Sequence, residues 1–170
     1  CNDNNALERP GQLWYRDFDN DGYAPNLTYV IQCQRPTGHK AIQELVAITA
    51  DCNDNNAAVR PGATEVCDGV DNNCAGGIDE GVLITYYRDQ DGDGFGNPAI
   101  TQQGCSQPGG YVTNNTDCVD NSSVQRPGQT WYKDTDNDGY GAMGVASVVQ
   151  CLRPSGYKAA SELTGTANDC

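Results

Sequence analysis

The sequence predicts a small, irregular, mostly β/coil fold: tandem loop modules with short β-hairpins, stapled by disulfides and arranged as an elongated rod. Three observations lead there. Leu, Ile, Val and Phe number 27 of 170 residues, about 16 %, below the roughly 20 % expected of a chain with a self-sufficient core. Nine cysteines and twenty glycines offer cross-links and tight turns in place of that core. One block of sequence also recurs: CNDNNALERPGQLWYRDFDNDGY at 1–23 returns as CVDNSSVQRPGQTWYKDTDNDGY at 118–140.

The repeat sets the expected organisation. CNDNNAAVRPG at 52–62 opens a third copy, and YYRDQDGDGFG at 86–96 continues it. Modules are therefore expected at 1–51, 52–117 and 118–170, the middle one lengthened by an insertion at 64–82. Cys170 falls in the phase of Cys1, Cys52 and Cys118, which suggests a segment of a longer array.

Within each module the elements should be short. The segments before the acidic runs, Gln12–Arg16 and Ile84–Arg88, read as strands, with hairpin partners at Thr28–Gln32 and Ala146–Gln150. Ala41–Ile48 and Ala159–Leu163 suit one or two helical turns. Arg-Pro-Gly at 9–11, 60–62 and 126–128 marks a turn. Trp14, Trp131 and Tyr86 are expected to form small apolar clusters under the loops.

Charge narrows the function. A formal charge of −13 excludes a general nucleic-acid binder, which needs a basic face. No apolar run reaches the length of a membrane span. Asp outnumbers Glu 18 to 5, and most Asp sit with Asn and Gly, a composition for tight loops rather than a solvated helix face.

Three such loops share one pattern: Asp17-x-Asp19-x-Asp21-Gly, Asp89-x-Asp91-x-Asp93-Gly and Asp134-x-Asp136-x-Asp138-Gly. Carboxylates at i, i+2 and i+4 repel unless a cation sits among them. Gly at i+5 allows the backbone to reverse, so that the carbonyls of Tyr23, Phe95 and Tyr140 can join the shell. EF-hands place Glu at loop position 12, whereas Thr28, Ile100 and Val145 stand here, so these are not EF-hands. Further oxygens are expected from Asp3, Asp51, Asp54, Asp117, Asp120 and Asp169, which flank the module-opening cysteines, whether toward the preceding loop or the following one. Ca²⁺ fits best, at three sites. A fourth is expected in the insertion from Asp68, Asp71, Asp79 and Glu80, with Asn73 nearby. Copper prefers imidazole or sulfur, and His39 and Met143 are the chain's only His and Met.

The cysteine register predicts the pairs Cys33–Cys52, Cys105–Cys118 and Cys151–Cys170, with Cys67–Cys74 closing the insertion and Cys1 paired outside the segment. Each loop would contribute about 3 kcal/mol in the chain-entropy account. Zinc is excluded by spacing, since no Cys-x-x-Cys occurs. Cysteine at this density points to an oxidising compartment, hence secretion.

TEVCDGVDNNCAGGIDEG at 64–81 resembles the MopE-type metal-binding motif repeats of large secreted bacterial surface proteins, and the flanking segments resemble repeats of the same kind. The resemblance implies a calcium-loaded extracellular spacer. Ala75 departs from it, standing where the family usually has Asp.

Asn26, Asn114 and Asn121 head Asn-x-Ser/Thr sequons in expected surface turns, candidates for glycosylation. A paired-carboxylate hydrolase would need an acid of raised pKa in a cleft, so no enzyme is expected. The function expected is structural: Ca²⁺-rigidified modules in a surface stalk or fibre, partnered head to tail by copies of itself or neighbouring repeats. The alternative is an adhesin binding surface glycans. Neither nucleic-acid binding nor membrane insertion is expected.

Overall fold

The computed structural model describes Cys1 and residues 4–169. Asp3 and Cys170 lie outside the described residues, as does the side chain of Asp169. The chain forms two compact units, Cys1–Leu83 and Ile84–Cys170, each built of short strands and coil.

In the first unit, β1 (Leu13–Arg16) lies between β2 (Tyr29–Ile31) and β3 (His39–Lys40) in an antiparallel sheet. The Arg9-Pro10-Gly11 turn, with Gly11 at φ +76°, delivers the chain into β1. Aromatic Trp14 and Tyr15 then favour extended backbone, and Trp14 pairs with Val30 in register. Trp14 is fully buried, so its indole N–H needs an acceptor. The Gln32 carbonyl supplies it at 2.9 Å. The Arg35 guanidinium covers the ring at 5.0 Å from its centroid and pairs with Glu44 at 2.8 Å. Glu44 in turn accepts the Ala41 N–H at 2.9 Å, closing the 3₁₀ turn η1 (Ile42–Glu44). One aromatic ring, walled by a strand and an ion pair, takes the place of a layered core.

The second unit holds β4 (Ile84–Arg88), β5 (Asn97–Gly104), β6 (Tyr111–Val112), β7 (Thr130–Lys133), β8 (Tyr140–Ala142), β9 (Val148–Val149), β10 (Tyr157–Ala159) and β11 (Gly165–Asp169). It carries two sheets of the same plan, β5-β4-β6 and β10-β7-β9, while β8 pairs in parallel with β11. Around β7 the arrangement of the first unit recurs atom for atom. Trp131 is fully buried, donates to Gln150 O at 2.8 Å, lies under Arg153, and Arg153 pairs with Glu162 at 2.6 Å. In β4 the buried Tyr86 takes the tryptophan's place.

The strands before the acidic loops and the hairpin partners β2 and β9 thus form where the sequence places them. The expected helical turns contract to single 3₁₀ turns, η1 and η2 (Ala160–Glu162). Their glutamates fold back onto the first amide, and Leu45 and Leu163 are already extended.

The disulfide pairing differs from expectation. Cys33 bonds to Cys1 rather than Cys52, Cys52 to Cys74, and Cys118 to Cys151 rather than Cys105. Cys1 therefore finds its partner within the chain, and Cys151 is committed without Cys170. Cys67 and Cys105 are also disulfide-bonded, Cys67 not to Cys74. The hairpins explain this. Gln32 N–H donates to Gln12 O, and Gln150 N–H to Gln129 O, so each returning strand carries the following cysteine back toward the segment that precedes β1 or β7. Cys33 arrives beside Glu8 and Cys151 beside Gln125. Pairing each of these cysteines with the next one in the repeat register ignores where the hairpin leads.

Replacing Trp14 or Trp131 by Ala should destabilise its unit by about 3–5 kcal/mol, read as a lower denaturation midpoint by circular dichroism. A second outcome concerns acid. Burial raises the Glu44 and Glu162 carboxyls, yet the hydrogen bonds from Arg35 and Ala41, and from Arg153 and Ala159, hold both below the ordinary glutamate range. A depressed folded-state pKa gives stability that is present above the unfolded value and lost as pH falls through the folded one. Glu44→Gln should therefore lower stability at neutral pH and flatten the acid limb of the stability profile.

Candidate metal centres

Each acidic loop begins where the strand ends. The amide of its first Asp is held by a glycine carbonyl of the Pro-containing turn: Asp17 N–H to Gly38 O, Asp89 to Gly110 O and Asp134 to Gly156 O, at 2.8–2.9 Å. Asp17 then caps its own loop, accepting Asp21 N–H at 3.1 Å and Gly22 N–H at 3.3 Å. Asp19 accepts Asp21 N–H, and Asp21 accepts Tyr23 N–H at 2.7 Å. Asp89, Asp91 and Asp93 make the same set, ending on Phe95 N–H at 3.0 Å. In the third loop Asp136 and Asp138 accept the Asp138 and Tyr140 amides.

In Asp19, Asp21, Asp91 and Asp93 these bonds use one oxygen and leave Oδ2 buried without a partner, whereas Asp17 and Asp89 accept amides on both oxygens and Asp136 and Asp138 are exposed. Gly22, Gly94 and Gly139 reverse the chain at φ of +88 to +90°, as expected for i+5. A second left-handed residue stands at i+3, namely Asn20, Gly92 and Asn137. Sequence reasoning passed over it, although Asn and Gly are the residues that tolerate that conformation.

The preceding loop, not the following one, receives the aspartates around the module-opening cysteine. In the first unit Ala24 N–H donates to Ala47 O, and Asp51 N–H donates to Ala24 O. That pairing brings Asp51 to the loop, with oxygens of Asp19, Asp21 and Asp51 all within 4.8 Å of one another. In the second unit Gly96 N–H donates to Asn114 O and Asp117 N–H to Gly96 O. A Cβ on Gly96 would stand 2.6 Å from Asn114 O, so this approach requires glycine. The backbone of Asp169 pairs with Ala142, just past the third loop.

Asp54 and Asp120 act differently from Asp51 and Asp117. Asp54 accepts Phe18 N–H at 3.0 Å and pairs with Arg16 at 2.5 Å, although one of its oxygens also lies within 4.8 Å of Asp17 and Asp19. Asp120 accepts Gln90 N–H at 2.9 Å, the Arg88 guanidinium at 2.6 and 2.8 Å, and Asn97 Nδ2 at 3.3 Å. Burial works against the charge on Asp120, but those bonds hold its carboxyl below the usual range. Both oxygens are thereby occupied, and Asp120 clamps the loop from behind.

The inward oxygens have no such partners. Asp19, Asp21, Asp51, Asp91, Asp93 and Asp117 each leave Oδ2 buried without a hydrogen bond, and Asp134 leaves both oxygens so. Asp51 is 4 % exposed, Asp117 8 % and Asp134 0 %. Burial pushes the Asp21, Asp51 and Asp93 carboxyls up, and the neighbouring carboxylates push the same way. Buried charge of one sign without compensation is costly. Converging unpartnered oxygens of this kind fit a bound cation.

In the insertion, oxygens of Glu65, Asp71 and Glu80 lie within 4.8 Å of one another. Asn73 ties them together: its N–H donates to Glu65 and its Nδ2 to Glu80, both at 2.7 Å. Glu65 Oε2, Asn73 Oδ1 and Glu80 Oε2 are buried and unpartnered. Of the four residues expected here, Asp71 and Glu80 converge. Asp79 instead accepts the Asp68 and Gly69 amides at 3.0 Å, and Asp68 accepts Val70 N–H, so these two shape the turn. Glu65 was missed; its signal is a glutamate in a chain whose loops otherwise use Asp.

Residues 1–17 and 51–80 match one family model. That model, Cu-binding MopE, is described as "Putative metal-binding motif". The matched stretches include the insertion cluster, Asp51, Asp54 and the first loop aspartate. No curated protein and no solved structure matches the chain.

Asp51→Asn and Asp117→Asn should each weaken cation binding at one loop by at least tenfold in calorimetric titration. Asp120→Asn should leave the number of ions unchanged while costing about 1.5–3 kcal/mol of stability through the lost charge-assisted bonds, visible as a lower melting temperature.

Proposed function

We propose that this is an extracellular structural repeat protein whose loops are rigidified by Ca²⁺, with three ions in the aspartate loops and a fourth in the insertion. In this reading copies of the chain, or neighbouring repeats, join head to tail in a surface stalk or fibre. The observation that carries it is the gathering of buried, unpartnered carboxylate oxygens in the first two loops and in the insertion, with the first two loops also tied to residues some 30 positions further on. Oxygen donors suit a hard cation, and Ca²⁺ accepts six to eight of them in irregular geometry where Mg²⁺ demands an octahedron.

Copper, which the family's name suggests, would want imidazole or sulfur. His39 is bonded to Thr37 O and packed edge-on against Phe18, Met143 is exposed, and eight cysteines are disulfide-bonded. Those disulfides support an oxidising, extracellular setting, and no described helix is long and apolar enough to cross a membrane. A site filled at 100 times its dissociation constant adds about 2.7 kcal/mol, a large term for units with so little core. Ion binding of this kind serves rigidity rather than catalysis.

Chelation of the native protein should loosen both units while the disulfides stay closed, seen as lost protease resistance and restored by Ca²⁺ but not by Cu²⁺. Unchanged spectra and protease resistance in chelator would remove the metal reading. Electron microscopy of native material should show filaments; dispersed single particles would remove the fibre.

A further inference from the structure

We infer that Asn26 and Asn114, but not Asn121, carry covalently attached sugar. All three head sequons, yet the structure treats them differently. Asn26 Oδ1 accepts both the Thr28 N–H, at 2.8 Å, and the Thr28 hydroxyl. Asn114 Oδ1 accepts the Thr116 N–H at 2.9 Å and the Thr116 hydroxyl at 2.6 Å. Each asparagine is thus closed into an Asx turn by its own sequon threonine, with both donors on the carbonyl oxygen. Asn121 has no such closure: its amide and that of Ser122 both donate to Val119 O, and among the described residues no bond joins Ser123 to Asn121 Oδ1. Asn121 also follows Asp120 directly, whose carboxylate is tied to Arg88, Gln90 and Asn97.

The chemistry favours the closed pair. Two donors on Oδ1 draw electron density to oxygen and make the Nδ2 protons more acidic. In the transfer Nδ2 forms a bond to the anomeric carbon of a glycosyl diphospholipid donor. The bond from that carbon to the diphosphate oxygen breaks, its electron pair leaves on the diphosphate, and one Nδ2 proton passes to a base of the transferase. Asn26 and Thr28 are exposed, as is Thr116, and Asn114 is half-exposed, so an enzyme can reach both sites in the folded chain. The two also share a place in the architecture. Asn26 lies two residues past Ala24, and Asn114 pairs through its carbonyl with Gly96; Ala24 and Gly96 are the residues against which Asp51 and Asp117 are docked. Sugar here would shield the junction that closes each loop.

The inference rests on the extracellular reading. Its test is tandem mass spectrometry of tryptic peptides from native protein, covering residues 17–40 and 89–133, with fragmentation that keeps the sugar on its residue. Glycan mass on Asn26 and Asn114 with Asn121 bare is the expected result. Bare Asn26 and Asn114, or sugar on Asn121 alone, overturns the proposal. A non-reduced map of the same digest reports the disulfides independently, so intact bridges without sugar would fail this inference while leaving the extracellular reading standing. Thr28→Val and Thr116→Val, made in the native host, should abolish occupancy at the matching asparagine. Thr28→Ser should keep it, and undiminished occupancy in the valine variants would overturn the role given to the turn.

Discussion

Like charge held close in a nearly dry space is the constraint on which everything else turns. The first two loops fold their backbone so that amides satisfy one oxygen of each of the second and third aspartates and leave the other buried without a partner. In an ordinary domain such oxygens would be driven out by their desolvation cost. Here the sequence offers little apolar surface to resist them, and the arrangement makes sense as half of a salt whose other half is a cation.

The remaining parts can be seen as ways of keeping that arrangement in place. Trp14 and Trp131 anchor the strands that launch the loops, and Arg35 and Arg153 seal the rings from above while neutralising Glu44 and Glu162. The glycine carbonyl at the end of each Pro-containing turn fixes the first aspartate amide. Arg16 and Arg88 place a positive charge just before the loop, where Asp54 and Asp120 can grip it. Local turn geometry, aromatic burial and ion pairing therefore reinforce one another across a chain too poor in aliphatic residues to rely on any one of them.

Much of this was legible in the residues themselves. The strands and turns follow from aromatic runs and Arg-Pro-Gly, and the i+5 glycine follows from the reversal that an inward-facing loop needs. What could not be read was anything set by chain return. Disulfide partners depend on where β2 and β9 deliver Cys33 and Cys151, and spacing alone favours the wrong, nearer cysteines. The division of labour between Asp51, with an oxygen aimed inward, and Asp120, gripping Arg88, is likewise invisible in composition, because both are aspartates beside a cysteine. Glu65 escaped notice for the opposite reason: it differs from the Asp pattern that identified the other sites.

The closing contacts also impose an order on how the chain matures. The bond from Phe18 to Asp54 spans 36 residues and that from Gln90 to Asp120 spans 30. Neither of these two loops has its closing bond until Asp54 or Asp120 has emerged in synthesis. In both cases the latch is a residue more C-terminal than the loop it holds, so that the later part of the chain secures the earlier.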